Sequence, residues 1–121
     1  MNRGSTFLVF EYMDHDLAGI VRNKIRFTLP EVKCLAKQLL EGVAYIHSQK
    51  LLHRDIKSAN ILLNRKGELK LGDFGLGRKF KNDGNLTYKV VTLWYRAPEL
   101  ILGYKKYDYK VDVWSVGCVL A

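Results

Sequence analysis

Four polar residues stand at spacings that suit one kind of chemistry. Asp55, Lys57 and Asn60 fall in the segment HRDIKSAN at 53–60, and Asp73 follows in a DFG tripeptide. An aspartate can receive the proton of a substrate hydroxyl. An amide oxygen and a second carboxylate are hard ligands of the kind that magnesium prefers. A proton acceptor beside a magnesium site is what phosphoryl transfer requires from its catalytic half.

The first half of the chain has the pattern of a strand followed by two helices. Residues 6–12 (TFLVFEY) are apolar, aromatic and β-branched, which predicts a buried strand. Residues 14–16 (DHD) end it and can cap a short helix from Leu17. Thr28 and Glu31 have the capping-box spacing of a second helix start. The apolar stripe of this amphipathic helix consists of Val32, Leu35, Ala36, Leu39, Leu40, Val43 and Ile46.

The second half has the pattern of a hairpin, a long loop and two further helices. Residues 61–63 and 68–71 are predicted strands joined by a turn-rich connection. Residues 76–92 are polar, basic and aperiodic, which predicts a long surface loop of the kind that usually carries function. A short helix is expected around 99–102, and the apolar run 111–121 is a helix without a stop signal at its end. The predicted fold class is α+β.

Composition limits the classes of function. The chain has 121 residues, 48% of them hydrophobic, and a net charge of +8. The basic residues are scattered without a basic block or interleaved aromatics, so direct nucleic-acid binding is not expected. The longest apolar run is far short of a membrane span. Cys34 and Cys118 lie in apolar stretches without metal spacing, which predicts reduced, buried thiols in an intracellular protein.

Three motifs together resemble those of the eukaryotic protein kinases. HRDIKSAN at 53–60, DFG at 73–75 and APE at 97–99 occur in the order found in that family. The resemblance implies a partial kinase fold, with residues 1–13 as the last small-lobe strand and hinge, and residues 14–121 as part of the mainly helical large lobe. No glycine-rich loop, phosphate-gripping lysine or partner glutamate occurs in the sequence. We therefore expect a middle piece of a catalytic domain.

The resemblance implies a role for each polar residue of the motifs. Asp55 matches the catalytic aspartate that orients the substrate hydroxyl and accepts its proton. Lys57 matches the lysine of serine/threonine kinases that places positive charge near the γ-phosphate. Asn60 and Asp73 match the magnesium ligands. Thr92 matches a threonine that ties the catalytic aspartate to that lysine.

Residues near the start of the chain resemble a hinge that binds the adenine of ATP. The backbones of Glu11 and Met13 would hydrogen-bond to the base, and Phe10 would guard the back of the pocket. Leu62 would pack under the base. Asp16 is also expected to be a nucleotide-binding residue, together with Asp73 at the phosphate end.

The segment 87–99 (TYKVVTLWYRAPE) resembles the activation segment of cyclin-dependent kinases. By this match Thr87 is an activating phosphorylation site. Arg54 and Arg78 would clamp its phosphate, because arginine forms strong charge-assisted bonds with phosphate oxygens.

Further matches concern substrate choice and support of the site. Val90, Val91 and Arg96 match the family's pocket for a proline that follows the target serine or threonine. Residues 14–20 (DHDLAGI) resemble the transcriptional branch of the family, which phosphorylates the C-terminal repeats of RNA polymerase II. Asp112 would brace the backbone of the HRD motif.

Two functions are compatible with these features. One is a nuclear, proline-directed, cyclin-dependent serine/threonine kinase that uses ATP and Mg²⁺ and has no activity as the isolated chain. The other is a kinase-like binding protein that sequesters a cyclin or a substrate without catalysis. The presence of Asp55, Lys57, Asn60 and Asp73 argues against an inactive form, because a decoy has no use for all of these roles.

Overall fold

The computed structural model of the chain describes residues 4–80 and 85–121. In chain order its elements are β1 (His15–Asp16), α1 (Leu17–Arg22), α2 (Leu29–Ser48), β2 (Leu51–Leu52), β3 (Ile61–Leu63), β4 (Leu69–Leu71), β5 (Arg78–Lys79), α3 (Pro98–Ile101) and α4 (Lys110–Leu120). Short 3₁₀ helices lie at Ser58–Asn60 and Leu93–Tyr95. This mixture of helices and short strands is the predicted α+β class.

The strands form two small antiparallel sheets. In the first the order is β1-β3-β4, with Ile61 opposite Leu71, and the predicted hairpin is confirmed. In the second, β2 pairs with β5, which places Leu52 opposite Arg78. Residues 53–60, here called the HRD loop, therefore run from the second sheet to the first. Residues 72–77, the DFG loop, run back again, so the two loops lie side by side.

Both predicted helix starts are confirmed by their caps. The Gly19 backbone N–H donates to Asp16 Oδ1 at 2.8 Å, which begins α1. At the start of α2, the Thr28 backbone N–H and hydroxyl donate to Glu31 Oε2 at 2.7 and 2.8 Å. The hydrogen bond from the Thr28 backbone, followed by the weaker effect of the one from its hydroxyl, holds the pKa of the Glu31 carboxyl below its ordinary value.

Two groups of buried side chains make the core. One is formed mostly by residues between 86 and 111 and consists of Leu52, Leu86, Val90, Val91, Ala97, Leu100, Tyr107 and Val111. The other lies between α2, the first sheet and α4 and consists of Leu39, Val43, Ile56, Ile61 and Val116. The apolar stripe of α2 is only partly buried, since Val32 and Leu40 stay exposed. Val32 lines an open apolar groove.

Two expectations about local structure were wrong. Residues 6–12 form no strand, and Phe7 and Val9 are 85% and 94% exposed. A strand is stabilised by pairing with a neighbour, and no strand of the described ranges pairs with this segment. The thiols are free, but neither is buried as predicted, since Cys34 is exposed and Cys118 is half-buried. None of the described helices is long and apolar enough to cross a membrane.

Candidate active site

The HRD and DFG loops are joined by hydrogen bonds where they pass each other. The Gly72 backbone N–H donates to the Asn60 carbonyl at 2.8 Å. His53 Nε2 lies 2.9 Å from the Gly72 carbonyl, and its ring contacts that of Phe74 with centroids 4.6 Å apart. The structure therefore brings the predicted acid Asp55 and the predicted magnesium ligands Asn60 and Asp73 to one edge of the fold.

The carboxylate of Asp55 is held on both oxygens. Thr92 Oγ1 donates to Oδ1 at 3.0 Å, and Asn60 Nδ2 donates to Oδ2 at 3.1 Å. Asn60 Nδ2 also donates to the Asp55 carbonyl at 2.8 Å. Lys57 Nζ lies 3.8 Å from Oδ2, and the Asp55 side chain keeps 12% of its surface exposed. The result is an oriented carboxylate that a reactant can still reach, beside one positive charge.

Among the described residues, Thr92 contacts Asp55 but does not itself join Asp55 to Lys57 in the way that the resemblance implies. Its hydroxyl bonds to Asp55. Lys57 reaches the same carboxylate by its own ion pair. Within residues 4–80 and 85–121, no hydrogen bond joins Thr92 to Lys57. Asp55 is thus the common partner of the two side chains.

A buried carboxylate on α4 accepts hydrogen bonds from the backbone of the HRD loop. Asp112 is fully buried, and its oxygens accept from the backbone N–H groups of His53 at 3.0 Å and Arg54 at 2.9 Å. His47 Nε2 lies 2.8 Å from Asp112 Oδ2. Arg54 has a φ of +65°, a conformation that L-residues adopt only when their surroundings impose it. The predicted brace is therefore present.

The predicted magnesium ligands offer oxygen donors. Because the Asn60 amide nitrogen is occupied by Asp55, its amide oxygen is the atom left to bind a cation. Asp73 is exposed, with φ +52°, and its Oδ1 accepts from the Gly75 backbone N–H at 3.2 Å. One amide and one carboxylate fit a hard cation that keeps several waters. The described residues contain no cluster of three or more His, Cys, Asp or Glu suited to a metal.

The predicted adenine-binding residues are only partly assembled. Phe10 is 80% exposed, and Glu11 forms an exposed ion pair of 3.8 Å with Lys70. Met13 and Leu62 are half-buried. The structure therefore does not bring Phe10 into a pocket.

Leu62 and Asp16 are held by the first sheet. Asp16 lies opposite Leu62, and its carboxylate caps α1, a structural role that the sequence also predicted. A Cβ atom at Gly72 would lie 3.0 Å from Leu62 Cδ1. Gly72 therefore allows Leu62 to pack closely against the start of the DFG loop.

The predicted phosphorylation site and its arginines lie in one region. Arg78 is exposed on β5, whereas Arg54 is buried, and Arg54 Nε donates to the Leu76 carbonyl at 2.8 Å. The Thr87 side chain is exposed, and in the described ranges no hydrogen bond joins its hydroxyl to either arginine. Its carbonyl instead accepts from the Tyr107 hydroxyl at 2.6 Å.

Sequence reasoning missed Tyr107. Arg54 Nη1 donates to the Tyr107 hydroxyl at 3.3 Å, so this side chain lies between the arginine and the Thr87 main chain. Tyr107 belongs to a loop rich in tyrosine and lysine, and nothing in the sequence distinguishes it from Tyr104 or Tyr109. Only its burial reveals it.

The two valines predicted to line a proline pocket are buried. Val90 and Val91 are 5% and 4% exposed and pack in the core, so they do not line an open cavity. Val91 has a φ of +68°, which is strained for a β-branched residue. Its carbonyl accepts from Arg96 Nε at 3.3 Å and Nη2 at 3.0 Å. The Val91 carbonyl is thus already hydrogen-bonded to Arg96.

Known proteins resemble this chain in sequence and in fold. The protein kinase domain family model matches residues 1–121. Cyclin-dependent kinase C-1 of Oryza sativa subsp. japonica is 58% identical over 98% of this chain and 24% of its own length. Cyclin-dependent kinase 12 of Caenorhabditis elegans is 53% identical over 98% of this chain and 17% of its own.

A solved structure gives the same result for the fold. A chain of the yeast RNA Pol II CTD kinase CTDK-1 complex superposes with a TM-score of 0.90 at 49% identity. The match covers 92% of this chain and 37% of the other. The match covers 24% of the length of the rice relative, so this chain spans about a quarter of it. On its motifs, its fold and these matches, the chain belongs to the protein kinase family, and the relatives it resembles are cyclin-dependent kinases.

Proposed function

We propose that the protein containing this chain is a serine/threonine kinase that transfers the γ-phosphate of ATP to a protein hydroxyl. The observation that carries the proposal is the Asp55 carboxylate. It is oriented by Thr92 and Asn60, 3.8 Å from the Lys57 ammonium. A kinase needs little covalent chemistry from its protein, so positioned groups of this kind supply most of the catalysis.

Each group has one task in the proposed reaction. The substrate hydroxyl oxygen attacks the γ-phosphorus, and the bond from that phosphorus to the β,γ-bridging oxygen breaks to release ADP. The hydroxyl proton passes to Asp55, whose orientation aims the nucleophile. Lys57 places its charge beside the oxygens of the transferred group. Thr92 and Asn60 keep the carboxylate in place through the hydrogen bonds given above.

The oxygen donors at the loop crossing support a magnesium site. Asn60 and Asp73 would hold the ion, because the amide oxygen of Asn60 and the carboxylate of Asp73 are the ligand types that a hard cation takes. Bound magnesium neutralises phosphate charge. The hydrogen bond of Gly72 to Asn60 keeps the two ligands on neighbouring stretches of chain.

Arg96 supports proline-directed specificity. A substrate backbone normally gains from donating an N–H to an enzyme carbonyl. Because the Val91 carbonyl already accepts from Arg96, an ordinary residue after the target serine would leave its N–H without that acceptor. Proline has no N–H and loses nothing. The site is therefore suited to Ser-Pro and Thr-Pro sequences.

The comparisons support a cyclin partner and a transcriptional substrate. The relatives are named cyclin-dependent kinases, and the structural neighbour is named a kinase of the RNA Pol II CTD. We propose that the whole protein binds a cyclin, acts on the C-terminal repeats of RNA polymerase II and resides in the nucleus. Fluorescence microscopy of the tagged protein tests the location, and exclusion from the nucleus would contradict it.

Labelled ATP tests the activity directly. The full-length protein is purified with and without a co-expressed cyclin and given a heptad-repeat peptide that contains Ser-Pro. We expect transfer that depends on the cyclin. A matched peptide with Ser-Ala reports the proline requirement. Tight cyclin binding without any transfer would instead favour the kinase-like binding protein.

A further inference from the structure

Tyr107 connects two parts of the molecule that regulation would need to couple. Its side chain is 7% exposed, and its ring packs in the core group around Val90 and Leu100. Its hydroxyl donates to the Thr87 carbonyl at 2.6 Å and accepts from Arg54 Nη1 at 3.3 Å. One phenol oxygen therefore bridges the HRD loop and the residue expected to be phosphorylated.

A second contact holds the same stretch of chain. The Leu86 backbone N–H donates to the Lys105 carbonyl at 2.8 Å, and Leu86 is buried. Residues 86 and 87 are thus attached to residues 105–107 by one backbone bond and one side-chain bond. Neither bond uses the Thr87 hydroxyl. The order of this stretch consequently does not require a phosphate.

We propose that Tyr107 is a positioning residue that holds the Thr87 main chain over Arg54 before phosphorylation. The inference rests on the proposed function, because it concerns the regulation of the same site. In the unphosphorylated kinase the Tyr107 hydroxyl is the link that keeps Thr87 near Arg54. After phosphorylation the phosphate itself can bond to Arg54 and Arg78, and the two links become partly redundant.

The proposal predicts that loss of the Tyr107 hydroxyl lowers activity more in the unphosphorylated kinase than in the kinase phosphorylated on Thr87. Tyr107→Phe removes the bridging oxygen and keeps the buried ring. In the unphosphorylated kinase with its cyclin, we expect kcat/KM to fall by about fivefold, the factor for one lost hydrogen bond. In the kinase phosphorylated on Thr87, we expect a fall of less than about twofold, because the phosphate contacts remain. The activation ratio therefore increases.

The matched control is Tyr104→Phe, which removes the hydroxyl of an exposed tyrosine three positions away and should change neither state. Equal losses in both states, accompanied by a lower melting temperature, would reduce Tyr107 to a fold-stabilising residue and overturn the proposal. An unchanged unphosphorylated enzyme would also overturn it.

Hydrogen exchange separates this proposal from the proposed function. In the unphosphorylated protein, Tyr107→Phe should accelerate exchange of the amides at 86–90, whether or not the protein transfers phosphate. Faster exchange in a protein without kinase activity would support the Tyr107 link and contradict the proposed function. Unchanged exchange in an active kinase would contradict the Tyr107 link alone.

Discussion

The carboxylate of Asp112 accepts a hydrogen bond from the backbone N–H of Arg54, 2.9 Å away. This bond holds Arg54 at a φ of +65°, one residue before Asp55. A backbone in this region costs on the order of 1–3 kcal/mol and persists only where surrounding contacts impose it. The direction in which Asp55 points is therefore determined partly by a residue on α4.

Replacing Asp112 should damage both stability and turnover. In Asp112→Asn, one acceptor oxygen becomes an NH₂ group facing a buried backbone N–H. We expect a loss of about 1–3 kcal/mol in the free energy of unfolding, the cost of one unsatisfied buried group. Urea denaturation measures this, and a lower kcat should accompany it. Asp108→Asn is the control, because its Oδ1 accepts from the Lys110 N–H and an asparagine can do the same. Normal stability of Asp112→Asn would refute the bracing role.

Thr87 is expected to regulate activity. Thr87→Ala should lower kcat/KM of the cyclin-bound kinase by roughly tenfold or more, the value of one charge-assisted hydrogen bond to the phosphate. Mass spectrometry of the active enzyme should find phosphate on Thr87. Thr6→Ala, at an exposed threonine, is the control. Full activity of Thr87→Ala would remove this residue from the regulatory scheme.

Arg96 is expected to control the preference for proline. Arg96→Met frees the Val91 carbonyl to accept from a substrate N–H. The ratio of kcat/KM for Ser-Pro over Ser-Ala peptides should then fall by roughly fivefold to tenfold, about one hydrogen bond. Arg26→Met, at an exposed arginine, should leave the ratio unchanged. An unaltered ratio in Arg96→Met would mean that another feature selects proline.

The polypeptide of residues 1–121, produced alone, is expected to have no kinase activity. Its sequence has no glycine-rich cover and no lysine–glutamate pair to position the α- and β-phosphates. Exposed apolar side chains such as Phe7, Val9 and Trp94 also favour aggregation. Differential scanning fluorimetry should show a broad transition that magnesium-ATP does not shift. A sharp transition that rises with ATP, together with transfer to a Ser-Pro peptide, would contradict this expectation.

Sequence patterns located the caps and the hairpin, because these depend on residues near one another in the chain. Thr28 with Glu31 is an example. Tyr107 could not be found in this way. Its contact with Thr87 follows from how distant segments pack.

The same limit explains two other differences. Residues 6–12 have the composition of a strand, but a strand also needs a neighbour, which composition does not report. Val90 and Val91 match a substrate pocket by their position in the sequence. Their burial depends on contacts with α3 and α4 that become visible only in three dimensions.

The proposed function depends most on Asp55, which is proposed to orient and deprotonate the substrate hydroxyl. The most direct test is steady-state transfer to a Ser-Pro peptide by the full-length Asp55→Asn kinase with its cyclin, beside a nucleotide titration. We predict that kcat falls by roughly 100-fold or more, the usual contribution of a general base. The Kd for ATP should stay within about twofold, because Asp55 does not hold the nucleotide. Asp108→Asn should behave as wild type in both measurements. Near-normal turnover by Asp55→Asn would contradict the account.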